Sequence, residues 1–202
     1  MITVIDYGVG NFGSLLNMFK RIGISITVAK SAKQIEKADK LVLPGVGSFD
    51  IAMKKLNSLQ GLRATLEEKV IIKKTPILGI CLGMQILTNF SEEGSEAGLG
   101  WIKGRARKFP VNNGLKVPHM GWNVANINHN SKLTKGIAID QRYYFVHSYF
   151  VSVEERSHSL MTTNYGINFD SAIGYKNLYG VQFHPEKSHR FGMKILENFV
   201  EL

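Results

Sequence analysis

A three-layer α/β sandwich is the fold this sequence predicts, and three observations predict it. Short apolar runs alternate with stretches of helical spacing from Ile2 to Phe90, the texture turns strand-rich from Trp101 onward, and a helical stretch over Phe191–Val200 closes the chain. Strands that alternate with helices build a parallel sheet covered on both faces, and a run of strands adds antiparallel pairing. The expected architecture is flavodoxin-like: a central mixed, mostly parallel sheet with helices on both faces and a small antiparallel β portion, in one domain spanning residues 1–202.

The elements follow in order. Ile2–Asp6 reads as the first strand, about Asn11–Ile22 as a helix, Ser25–Ala29 as a strand and Ala32–Lys37 as a short helix. The third strand, Lys40–Leu43, runs into the Gly-rich turn Pro44-Gly45-Val46-Gly47-Ser48, and a helix follows over about Asp50–Leu59. Ile77–Ile80, an apolar run opened by Pro76, is a buried strand; Leu82, Ile86, Leu87 and Phe90 then repeat at helical spacing. In the second half Lys116–Val117, Tyr143–Tyr149, Ser159–Thr163, Ser171–Tyr175 and Tyr179–Phe183 are strand-like.

At 202 residues and 44% hydrophobic content the chain can bury a core, and about 150 residues per domain favours one domain. No Ser/Pro/Gly-rich linker, repeat or low-complexity tract interrupts it. The start, Met-Ile-Thr-Val-Ile-Asp, reads as a first strand and not a signal peptide. With no apolar run of the roughly 20 residues a bilayer requires, no membrane partner is expected. A single cysteine excludes an internal disulfide and suits a reducing cytoplasm. The net charge of +9 raises nucleic acid as a partner, but the lysines are spread over helices and only Lys103, Arg105, Arg107 and Lys108 cluster. A nucleic-acid footprint is concentrated on one face, so none is expected. The cluster reads as a solvated face or as a rim contact for an acidic partner.

The single cysteine is also the most informative residue. Cys81 lies in Gly79-Ile80-Cys81-Leu82-Gly83, where small residues frame a sharp turn from strand to helix. That context is the one nucleophile elbows require, with sulfur replacing oxygen. Glycines tolerate a strained backbone and leave room beside the thiol, and unpaired N–H groups at a helix start favour negative charge on sulfur. A nucleophile needs a base and a group to orient it. His184 ends an apparent strand, and Pro185 stops the ladder while holding Glu186 near the imidazole. His119, His129, His147, His158 and His189 are rivals as bases, but none has a carboxylate two residues away behind a rigid proline. The candidate triad is therefore Cys81, His184 and Glu186. The Val46–Gly47 turn, with amides free to face an anion, completes the set as an oxyanion hole. Gly47, Cys81 and His184 all stand at C-terminal ends of strands, where open α/β sheets place their sites.

With these pieces the chain resembles the class I (triad) glutamine amidotransferases, nearly end to end. Ile5-Asp6-Tyr7-Gly8-Val9-Gly10-Asn11, Leu43-Pro44-Gly45-Val46-Gly47-Ser48-Phe49, the Cys81 elbow through Gln85, Val117-Pro118-His119-Met120-Gly121-Trp122-Asn123, Tyr144-Phe145-Val146-His147-Ser148-Tyr149 and Gln182-Phe183-His184-Pro185-Glu186-Lys187-Ser188 carry the likeness. The elbow and His-Pro-Glu belong to the whole class. The Pro-Gly-Val-Gly-Ser-Phe and Pro-His-Met-Gly-Trp-Asn segments resemble the branch that serves histidine biosynthesis with a (β/α)8-barrel cyclase subunit as heterodimer partner.

The resemblance implies a glutaminase without metal or cofactor, with glutamine as substrate. It implies that Leu82 joins Val46 and Gly47 at the oxyanion, that Gln85, Ser148 and Tyr149 hold glutamine, and that Asn11, Trp122, Tyr144 and Lys187 face the partner at the ammonia passage. Two departures, the four basic residues between Lys103 and Lys108 and the Asn123-Val124-Ala125-Asn126 segment, fit a second reading: a paralogue that supplies another synthase, such as a sugar amidotransferase of surface polysaccharide biosynthesis. Cysteine hydrolases and stress proteins of related fold share the elbow but lack the His-Pro-Glu and Pro-Gly-Val-Gly pair.

Overall fold

The computed structural model describes residues 1–10, 12–110 and 114–202. Ile2–Ile5 forms β1, Ile26–Ala29 β2, Lys40–Gly45 β3 and Ile77–Cys81 β4, paired in parallel in the order β2, β1, β3, β4. Between them run α1 (Gly13–Arg21), α2 (Ala32–Ile35), α3 (Phe49–Ser58) and α4 (Leu62–Glu67), and α4 continues into a π-helical turn over Glu68–Ile72. Every residue of β4, and all of β3 beyond Lys40, is buried, as strands covered on both faces require.

Helix α5 (Leu82–Ile86) leaves β4 with no intervening residue. The strand-rich half then comprises β5 (Phe90–Ser91), β6 (Gly104–Lys108), β7 (His119–Val124), β8 (Asn126–Ile127), β9 (Arg142–His147), β10 (Tyr149–Val153), β11 (Ser159–Tyr165), β12 (Ile167–Tyr175) and β13 (Leu178–Val181), with α6 (His189–Val200) after it. β13 joins β4 in parallel and turns the sheet antiparallel through β12. β12 is shared: Asp170 pairs with both Val151 and Thr162, and Ala172 with both Val181 and Met161, so β10 and β13 lie on one edge and β11 on the other. β6 and β5 extend beyond β10, and β8 beyond β11. β7 and β9 form a separate two-stranded antiparallel ribbon.

Side-chain alternation divides the core between the two faces of the sheet. Val4, Val42, Leu78 and Ile80 pack with Leu15 and Phe19 of α1 and Leu196 and Phe199 of α6. Ile5, Leu41, Leu43 and Ile77 pack on the other face with Ile35, Phe49, Leu56 and Leu66 of α2, α3 and α4. Each such buried side chain contributes roughly 1.5–3 kcal/mol, so the layers that carry the site are held by apolar burial. Asp170 ties the antiparallel portion together. Its buried carboxylate accepts from the Val153 amide at 2.9 Å, the Ser159 hydroxyl at 2.6 Å and the Arg156 guanidinium at 3.0 Å, which satisfies a charge that is costly to bury alone.

Three departures from the expected elements bear on the site. The helix after Cys81, expected to reach Phe90, stops at Ile86; the Thr88 amide and hydroxyl both bond the Gln85 carbonyl, tightening the last turn. Lys116 and Val117 are not a strand. Pro118, in a cis peptide with Val117, has no N–H for a ladder, so β7 begins at His119. The expected strand Tyr143–Tyr149 is two strands that part at Ser148, where the chain leaves the β7–β9 ribbon and enters the main sheet.

Candidate active site

The ends of β3, β4 and β13 and the start of β10 meet around a cleft of about 370 Å³ lined by Val46, Gly47, Cys81, Leu82, Gln85, Glu93, Pro118, Val146, His147, Ser148, Tyr149, His184 and Lys187. Cys81 sits at its floor in a left-handed conformation, φ 56° and ψ −110°. That backbone is strained for a residue with a side chain, and close packing holds it there. A Cβ on Gly83 would stand 1.7 Å from the Leu43 carbonyl oxygen, and one on Gly79 would stand 2.5 Å from the Gly83 oxygen. The two glycines therefore let α5 lie against β3 and β4, and the space they vacate is filled by backbone, not by room beside the thiol.

His184 follows β13. Its amide bonds the Tyr144 carbonyl at 2.9 Å, and its own carbonyl accepts the Ser188 hydroxyl at 2.7 Å. The ring Nδ1 lies 2.7 Å from Glu186 Oε1, and both side chains are nearly buried. Nε2 is buried with no hydrogen-bond partner among the described residues. Burial opposes charge on this ring, but the Cys81 sulfur and the Glu186 carboxylate outweigh it and hold its pKa up at about 10. Cys81 Sγ also receives the Gln182 amide at 3.7 Å.

Across the cleft the Val46–Gly47 turn is open. Val46 is 46% exposed, and Gly47, at φ 95°, has nothing within 4 Å of where a Cβ would stand. Beneath it the Tyr7 hydroxyl lies 2.7 Å from the position of a Gly45 Cβ, buried and with no hydrogen-bond partner among the described residues. Burial, and then the Cys81 charge, raise this phenol well above its ordinary pKa.

The residues expected at the substrate are also brought here. Ser148 and Tyr149 form one wall. Gln85 is buried: its amide nitrogen donates to the Tyr149 carbonyl at 3.0 Å and to Gln182 Oε1 at 3.2 Å. Glu93, which the motifs did not single out, faces the cleft and accepts the Phe49 amide at 2.9 Å. Asp50, at the start of α3, fixes the nearby loop by accepting the Ser95 and Glu96 amides.

Of the residues expected to face a partner, Asn11 lies outside the described residues, and the other three converge. Trp122 and Tyr144 are register partners on β7 and β9 with ring centroids 6.1 Å apart, and Lys187 Nζ lies 5.7 Å from the Tyr144 ring. His189 stacks on Trp122 at 5.5 Å, a contact nothing in the sequence signals. Of the basic cluster, Arg105, Arg107 and Lys108 lie on β6, where Arg105 covers the Phe90 ring at 5.0 Å and Arg107 meets Glu92 at 3.6 Å.

A family model, Glutamine amidotransferase class-I, matches residues 3–202. The chain is 52% identical to the imidazole glycerol phosphate synthase subunit HisH 2 of Methanococcus maripaludis, covering 100% of this chain and 99% of that one. It is 48% identical to the HisH subunit of Bdellovibrio bacteriovorus and 48% to HisH 2 of Pseudomonas aeruginosa, with 100% of both chains covered in each case. Among solved structures, PurLQS from Thermotoga maritima superposes with a TM-score of 0.73 at 16% identity over 99% of this chain and 97% of that one, which establishes the shared fold.

Proposed function

This chain belongs to the class I glutamine amidotransferases, and from that premise we propose that it hydrolyses glutamine and delivers the ammonia to a (β/α)8-barrel synthase subunit. That complex makes imidazole glycerol phosphate and an aminoimidazole carboxamide ribotide in histidine biosynthesis, in the cytoplasm. Residues 1–202 act as one amidotransferase domain. The full-length relatives, which are HisH subunits of imidazole glycerol phosphate synthase, support this branch over a supplier of sugar amidation. The observation that carries the chemistry is the cleft itself, where Cys81 on a left-handed elbow shares a floor with His184 held at 2.7 Å by Glu186.

In this reading the Cys81 thiolate attacks the side-chain amide carbon of glutamine, and the carbonyl oxygen takes up the negative charge. The amides of Leu82 and of the Val46–Gly47 turn hold it. Protonated His184 gives its Nε2 proton to the departing nitrogen, the C–N bond breaks, and ammonia leaves a γ-glutamyl thioester. His184 then removes a proton from water, which attacks the thioester and releases glutamate and the thiolate. A ring held up at about 10 starts this cycle as the acid, paired with sulfur. Glu186 keeps the proton on Nδ1 and aims Nε2 at the reacting atoms. Gln85, Ser148 and Tyr149 hold the substrate, and the Glu93 carboxylate complements an α-ammonium group. Trp122, Tyr144 and Lys187, with Asn11, dock the barrel.

The test is Cys81→Ala in the complex with the barrel subunit. Glutamine-driven synthesis should disappear while synthesis from ammonium salts continues; glutamine-driven turnover that survives removes the nucleophile from Cys81. The same complex checks regulation. The Val46–Gly47 peptide must turn an N–H inward, and if docking biases that rotation by about 3 kcal/mol, turnover rises roughly a hundredfold over the isolated chain.

A further inference from the structure

Two histidines that the proposed chemistry leaves unused are both buried and both bonded. His119 on β7 and His147 on β9 are register partners on the inner face of the ribbon, and their rings meet at 3.0 Å between Nδ1 of His119 and Nε2 of His147. His147 Nδ1 lies 2.8 Å from the Tyr149 carbonyl, which can only accept. Nδ1 of His147 must therefore carry the proton, so Nε2 is bare and accepts from Nδ1–H of His119. Nε2 of His119 is bare in turn and accepts from the Asn123 amide at 3.2 Å; that amide also donates to the Asn164 carbonyl at 2.9 Å. Each ring has one possible tautomer.

Neutrality is a condition of this arrangement, and burial supplies it. Burial holds His119 down at about 4, and it holds His147 down at about 3 against the Tyr149 carbonyl, whose hydrogen bond favours the charged ring. The Tyr149 carbonyl at the end of the pair is also the acceptor of Gln85, whose second N–H meets Gln182, whose amide in turn points at the Cys81 sulfur. The hydrogen bonds thus run unbroken from Asn123 to the cleft floor.

We infer that His119 is a positioning residue for the glutamine pocket: through His147 it fixes the Tyr149 carbonyl, and with it the Ser148–Tyr149 wall where one strand passes from the ribbon to the main sheet. The inference rests on the proposed glutaminase reading for its substrate. It assigns His119 no contact with glutamine and no proton transfer. The His119 ring also stacks on Tyr165 at 4.0 Å and Phe145 at 4.7 Å, so packing is the competing explanation, and the substitutions must separate the two.

His119→Phe keeps the stacking and cuts the polar chain. His119→Gln restores one donor and one acceptor. In the complex with the barrel subunit, His119→Phe should raise KM for glutamine about tenfold with kcat changed by less than about threefold, and His119→Gln should recover most of the loss. Asn123→Ala, which frees the outer end without touching the aromatic cluster, should shift KM in the same direction by a smaller factor. In parallel, ¹⁵N NMR of the imidazoles in the unmodified chain should find both rings as the Nδ1–H tautomer. An Nε2–H tautomer at His147 overturns the chain of bonds. An unchanged KM in His119→Phe, or equal losses in the Phe and Gln variants, leaves packing as the role of His119 and overturns the inference. Should the unmodified complex fail to hydrolyse glutamine, the proposed function falls, and the tautomers still decide the hydrogen-bond chain.

Discussion

The two sides of the cleft are built on opposite terms. On the Cys81 side, Gly79 and Gly83 sit where a single added carbon would meet backbone at 2.5 Å and 1.7 Å, and the left-handed Cys81 between them has no freedom to relax. On the Val46–Gly47 side, Gly47 is a glycine for its φ of 95° alone, since its surroundings are empty, and Val46 stands half in solvent. One side is over-determined by packing, which fixes the sulfur. The other is under-determined, because no neighbouring atom packs against the Gly47 position. If docking of a partner controls the proposed chemistry, the signal can move only the side that packing leaves free.

The largest effect should come from attacking the rigid side. In Gly83→Ala the new methyl meets the Leu43 carbonyl, a backbone atom that cannot move without separating α5 from β3. We expect a loss of more than about 4 kcal/mol of stability, read as a shift in the denaturant midpoint. Gly47→Ala should cost only about 1–2 kcal/mol of backbone strain. Comparable losses in the two variants would erase the contrast.

Glu186→Gln tests the electrostatic pin on the rigid side and should have the next largest effect. It mis-sets the imidazole without removing it, so glutamine turnover should fall by less than the roughly 10²–10⁴-fold expected of His184→Ala. Wild-type rates in His184→Ala would remove the base. The substitution also has a pH signature. His184 rises from an ordinary 6.5 to about 10 on folding, so its contribution to stability is full below about pH 6.5 and is lost as pH climbs through 10. Denaturation at stepped pH should show that decline in the unmodified chain and a flatter one in Glu186→Gln; identical profiles would show that Glu186 does not hold the charge.

The smallest effect is sought on the loose side. Val46→Gly should ease peptide rotation and raise the turnover of the isolated chain about tenfold, with the docked complex within about twofold of the unmodified one and stability lowered by no more than about 1 kcal/mol. An isolated chain that gains nothing would place the block elsewhere than in this peptide.

The same contrast explains what was legible in the sequence. The parallel half and the elbow declare themselves locally, because β4 is a continuous apolar run and Gly-x-Cys-x-Gly admits few conformations; His184 and Glu186 are two residues apart behind a proline. The close packing of Gly83 is not legible locally, since the backbone it faces belongs to β3, some 40 residues away. His119 and His147 read as rival bases because each stands alone in the sequence, and only the β7–β9 register joins them. Gln182 was visible as a motif member, and its aim at the sulfur was not. The break at Ser148 escaped detection because apolar alternation continues across it; a change of sheet leaves the local period intact.

The catalytic turn is also a matter of when, not only where. Ser188 caps the His184 carbonyl and receives the Tyr144 amide, and Gly192 of α6 lies so close under the turn that a Cβ would stand 1.9 Å from the Pro185 oxygen. A ribosome makes the chain from its N-terminus at about 5–20 residues per second, so the sulfur at Cys81 exists for seconds before its base does. Until α6 has emerged and closed under Pro185, the elbow lacks the His184–Glu186 pair, and on the proposed reading a chain abandoned midway through translation would consume no glutamine.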